Sequence, residues 1–115
     1  TGDPLIARAV EESLVGASNL GARIRAVDTA GKLAGDPEVR QTLIGAAEFD
    51  SSVAVRLQAI NLLTDYLDDD RVRDALTRIL QDDESVPGRL LALELLGDTE
   101  LSPDTDFDAS AGIQL

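Results

Sequence analysis

Apolar residues recur along this chain at intervals of three and four. Val39, Leu43, Ala46 and Ala47 stand at that spacing, and Val72, Leu76, Ile79 and Leu80 repeat it further on. Such spacing gathers the apolar side chains on one face of an α-helix. Start signals agree with it. Asp3-Pro4 and Asp36-Pro37 each set a capping carboxylate before a proline, and Asp69 supplies the cap a third time without the proline. An aspartate side chain satisfies amides left unpaired by the first turn, and proline has no amide to lose at the first helical position. Short polar turns follow at Gly16–Asn19, Asp50–Ser52 and Asp82–Ser85. Second helices are then expected over 20–34, 52–67 and 86–97. In the middle one, Val53, Leu57, Ile60, Leu63 and Leu67 form the expected inner stripe.

This two-helix pattern repeats. Displaced by 33 residues, Arg23, Arg56 and Arg89 fall in register, as do Ala26, Ala59 and Ala92. Between 36–68 and 69–101, thirteen of thirty-three positions are identical, Arg40/Arg73, Asp50/Asp83 and Leu62/Leu95 among them. The unit 3–35 diverges more but keeps Asp3-Pro4. One short helical pair cannot cover its own apolar face, whereas a series of pairs buries a continuous core. The expected fold is therefore all-α: a right-handed, shallowly curved α-solenoid of about three helical hairpins, about six helices, over residues 1–98. Residues 99–115 are expected to form an irregular acidic tail or a partial capping unit. There Ser102-Pro103 stands where another unit would open, but Thr105 and Ala109 occupy the core positions that follow. From Phe107 to Leu115 apolar residues alternate, which is strand-like spacing, so an extended segment lying on the stack fits as well.

Composition narrows the function. Of 115 residues, 43% are apolar but only 3% aromatic, so the core must be built from Leu, Ile, Val and Ala. The net charge of −12 repels phosphate backbones and anionic membrane surfaces, which argues against nucleic acid as a partner. With neither Cys nor His, thiolate and imidazole metal sites and Cys–His or Ser–His catalytic pairs are impossible. No apolar run approaches the roughly 20 residues that span a bilayer, so no membrane insertion is expected in this segment. The chain opens at Thr1 and runs almost directly into a helix signal, which reads as a piece of a longer protein, cytoplasmic or periplasmic. No phosphate-binding glycine loop and no cofactor are expected. Asp104-Thr-Asp106-Phe-Asp108 is similar to the start of a calcium loop, but Ala109 stands where a glycine should turn and Leu115 where a glutamate should close the site.

The strings GARIRAV, VAVRLQAINLL and VPGRLLALELL resemble the second helix of HEAT repeats. In that family an aspartate in the turn precedes a Val-Arg pair. Here Asp50 precedes Val55-Arg56 and Asp83 precedes Gly88-Arg89, while the first unit has Ala17 and then Ala22-Arg23. The resemblance, greatest to bacterial HEAT-like units, implies a non-catalytic scaffold that binds a protein or peptide. It also implies two alternatives. One is a structural, dimerisation or regulatory segment of a membrane-anchored anti-sigma-like protein, with the tail as a homodimer contact. The other is a HEAT-like enzyme of the lyase or DNA-glycosylase type, which the charge and the scarcity of aromatics oppose.

Two sets of residues stand out. Arg23, Arg56 and Arg89 recur once per unit, either as an anion-binding ladder or as structural partners of turn aspartates such as Asp50 and Asp83. A planar guanidinium suits the second role. On the outer face of the second helices, Arg25, Asp28 and Lys32 align with Gln58, Asn61 and Asp65, and with Leu91, Glu94 and Asp98. This stripe, basic at one end and acidic at the other with Leu91 expected exposed, is the candidate partner-binding face. Phe49 and Tyr66 are expected to pack.

Overall fold

The three aspartate caps determine where the hairpins begin. Asp3, Asp36 and Asp69 each accept a hydrogen bond from the amide two residues on, at Leu5, Glu38 and Arg71. The computed structural model describes residues 3–17 and 19–100, and over 98–100 the helical backbone alone. From the caps run α1 (Pro4–Gly16), α3 (Pro37–Phe49) and α5 (Asp70–Asp82). The returning helices are α2 (Leu20–Lys32), α4 (Val53–Leu62) and α6 (Val86–Glu100). The described residues contain no strand. The tail 101–115, with its Ser102-Pro103 and its calcium-like run, lies outside them.

Each hairpin packs its two helices together, α1 on α2, α3 on α4 and α5 on α6. First helices then lie beside first helices, α1–α3–α5, and second beside second, α2–α4–α6. The chain is thus a two-layered solenoid with its core between the layers. Val39, Leu43, Val72 and Leu76 enter that core from the first helices, and Val27, Val55, Ala59, Ile60 and Leu63 from the second; all are fully buried. Burying one such Val, Leu or Ile contributes about 1.5–3 kcal/mol. Small residues set the spacing of the layer. A Cβ on Gly31 would stand 2.8 Å from the Leu62 methyl groups, so an alanine there would have to displace the Leu62 side chain.

Two expectations for the middle second helix need correction. It stops at Leu62 and passes into a 3₁₀ turn over Thr64–Tyr66 instead of continuing to 67. The Thr64 hydroxyl donates to the Asn61 carbonyl at 2.7 Å and the Leu63 amide to Ile60, which tightens the last turn. The buried stripe is also rotated: it runs through Val55, Ala59, Ile60 and Leu63, while Leu57 is half-buried and Val53 is 40% exposed. Helical side chains lean toward the N-terminus, so Val53 in the first turn overhangs the end of its helix. Phe49 differs too. It closes α3, beyond the cover of the neighbouring helices, and is 79% exposed. Tyr66 packs half-buried against the core, with the Arg40 guanidinium 4.3 Å above its ring centre.

Candidate functional site

The recurring arginines sit near the start of each second helix, where the preceding turn comes within reach. Arg23 donates through Nε and Nη2 to the two carboxylate oxygens of Asp50, at 3.2 and 3.3 Å. Arg56 does the same to Asp83, at 3.0 and 3.4 Å, and its Nη1 donates to the Asp50 carbonyl at 2.8 Å. Each arginine therefore reaches forward to the turn of the following hairpin, and Arg56 also ties back to its own. Arg89 donates to the Asp83 carbonyl at 2.6 Å. The middle rung is the most enclosed, with side chains only 11% and 2% exposed. Burial pushes the Asp83 carboxyl up, but hydrogen bonds from the Ser85 amide and hydroxyl and from Arg56 outweigh it and hold the group below its usual range.

A second ladder runs along the first helices. Arg40 donates to Asp69 at 2.8 Å and to the carbonyls of Ala34 and Gly35. Arg73 repeats the backward half, donating to the Leu67 carbonyl at 2.7 Å, and turns its other branch to Asp70. Asp69 is held well below the carboxylate range by Arg71, against the push of burial and with Arg40 adding to it. The sequence signal for this ladder was the 33-residue match of Arg40 with Arg73. Except at Arg89, which makes only the carbonyl bond, the cations of both ladders are committed to carboxylates as well as carbonyls, which leaves few donors for an external anion.

The second-helix face divides into committed and free side chains. Gln58 donates to Asp28, tying α4 to α2. Arg25, Lys32, Asn61, Asp65 and Glu94 are exposed, and their side chains make no hydrogen bond or ion pair among the described residues. The side chain of Asp98 lies outside the described residues. Leu91 is half-buried, not exposed: it occupies the position of Gln58, which leans on the preceding second helix, and it packs on the core. The exposed leucines of α6 are Leu90 and Leu93.

The first-helix face is wired differently. Arg78 of α5 grips Glu48 of α3 with two bonds of 2.9 Å, and Arg71 reaches Gln41 at 3.2 Å. Exposed Phe49 stands between two open clefts, one lined by Ala7, Leu14 and Arg23, the other by Arg56, Arg78 and Ile79. Sequence reasoning placed Phe49 in the packing and so missed this feature; its only cue was the position at the very end of α3.

The described residues contain no cluster of three or more acidic side chains arranged to hold a metal. They also contain no helix long and apolar enough to cross a membrane. The family model described as HEAT repeats matches residues 6–97. No curated protein and no solved structure matches the chain.

Proposed function

Because the chain belongs to the HEAT-repeat family, we propose that it is a non-catalytic protein-binding module that engages its partner through the exposed face of α2, α4 and α6. HEAT repeats generally mediate protein–protein interaction, and the family is typically a scaffold without catalysis. One observation carries the choice of face. On the second helices and the 3₁₀ turn after α4, Arg25, Lys32, Asn61, Asp65 and Glu94 are exposed and uncommitted, whereas between α3 and α5 Arg71 and Arg78 already hold Gln41 and Glu48. Free donors and acceptors bind without first breaking an internal pair. The face runs from cationic at Arg25 and Lys32 to anionic at Asp65 and Glu94, which fits a partner segment of opposite polarity and orients it along the stack.

A second reading rests on Phe49, since exposed aromatic side chains beside clefts are the usual anchors of interfaces. A photo-crosslinking amino acid placed at Asn61 or at Phe49 of the full chain separates the two. Adducts from position 61 that vanish in Arg25→Glu/Lys32→Glu support the second-helix face. Adducts confined to position 49 move the site to the first-helix clefts, and absence of adducts from both sinks the proposal.

A further inference from the structure

At the C-terminal end of the stack the repeat register fails in a consistent way. Val27 and Ile60 are fully buried, but their equivalent in α6, Leu93, is 52% exposed. Ile24 and Leu57 are half-buried, but Leu90 is 59% exposed. Arg23 and Arg56 each grip an aspartate 27 residues ahead, whereas Arg89 keeps only the backward bond to the Asp83 carbonyl. Its Nε and Nη2 meet no carboxylate among the described residues. Arg89 is half-buried and its guanidinium is anchored through Nη1, so the remaining fork is held in place for an acceptor. This end therefore offers both halves of an inter-hairpin contact, apolar and cationic, without the other side.

A second copy stacking head to tail supplies only one half. Its exposed N-terminal unit carries Leu5 and Ile6, but Ala17 stands where Asp50 and Asp83 stand in the later units. The chain's own residues 101–115 supply both. They carry Asp104, Asp106 and Asp108 interleaved with Phe107, followed by Ile113 and Leu115. The reach is sufficient. Arg89 lies about 16 Å back along α6 from residue 100 at about 1.5 Å per residue. Reversing direction takes about two residues, and an extended chain then covers that distance in about five or six at about 3.3 Å each, which brings Phe107 and Asp108 level with Arg89. Neighbours on a helix diverge by about 100°, and neighbours on an extended segment point to opposite sides. A segment lying along α6 can thus send the Phe107 ring toward Leu90 and Leu93 and a flanking carboxylate toward Arg89.

We propose that residues 101–115 dock on the exposed end of α6 in the same chain, with Phe107 over Leu90 and Leu93 and the Asp106/Asp108 carboxylates on Arg89. The chain has no tryptophan, so Phe107→Trp in the full chain gives a single reporter. Its emission is expected blue-shifted from that of the urea-unfolded chain, shielded from acrylamide and independent of protein concentration. Adding Arg89→Gln, or Asp106→Asn with Asp108→Asn, is expected to shift the emission to the red and open it to the quencher. The double Asn variant changes residues beyond the matched repeats 6–97 and is expected to leave helicity by circular dichroism unchanged, so the test does not depend on Arg89→Gln folding. Emission equal to that of the unfolded chain overturns the proposal. So does a blue shift insensitive to these substitutions, or one that grows with concentration alongside a dimer in light scattering, which would make a second copy the occupant.

Discussion

The Arg56–Asp83 rung gives the sharpest stability prediction. Replacing Arg56 by Met removes the two bonds to Asp83 and the one to the Asp50 carbonyl while keeping a similar stem. Asp83, with its side chain 2% exposed, is left with the Ser85 donors alone. Breaking an enclosed pair on one side costs about 3–5 kcal/mol, chiefly through the charge left behind. Asp83→Asn should cost less, because a neutral amide needs no counter-charge, and adding it to Arg56→Met should recover part of the loss. Urea unfolding of the wild type, both single variants and the double variant gives the coupling directly. The pH dependence carries a second check. The folded-state pKa of Asp83 lies below the ordinary 3.8, so its contribution is fully present above that value and is lost as pH falls below it. Asp69, depressed in the same way, adds to the acid sensitivity. Asp83→Asn should therefore lose stability more gently than the wild type below about pH 4. Additive single variants, with acid profiles that superimpose, would refute the claim that this rung couples the hairpins.

Core position decides the next prediction. Ile60→Ala should cost about 2–5 kcal/mol and half-buried Leu57→Ala clearly less, with Asn61→Ala within about 0.5 kcal/mol of wild type, as measured by thermal unfolding. Gly88 has no room to grow: a Cβ there would stand 2.8 Å from the Asp83 carboxyl carbon and the Ser85 hydroxyl oxygen. Gly88→Ala should therefore destabilise by about 1–3 kcal/mol in the same assay, whereas Gly45→Ala, whose Cβ meets nothing, should not.

The parts of this fold that could be read from sequence are those governed by local chemistry or by repetition. Asp3, Asp36 and Asp69 mark helix starts because capping acts within one turn, and the helices begin where those residues stand. The 33-residue register singled out Arg23, Arg56, Asp50 and Asp83, and repetition itself implies that a contact made once is made again. What escaped depends on what lies beside a helix. Val53 and Leu57 match the helical period as well as Val55 and Ala59 do, and only the packing of α2, α3 and α6 against α4 selects between them. The end of α4 turns on a competing Thr64 hydroxyl, and the exposure of Phe49 on where the neighbouring helices stop. Leu91 looked like a surface residue because its counterpart Gln58 is polar, yet Gln58 reaches Asp28 on the helix before it and Leu91 packs on the core. In α6 the packing there is apolar instead of hydrogen-bonded.

Where the partner binds is the property of this chain most open to direct measurement. With the cross-linked partner in hand, titration calorimetry on the full chain should find Lys32→Glu combined with Asn61→Arg at least about tenfold weaker, a loss of about 1.4 kcal/mol. Phe49→Ala should leave the affinity unchanged. The opposite ordering, with Phe49→Ala abolishing binding and the second-helix variant indistinguishable from wild type, would contradict binding through the second-helix face.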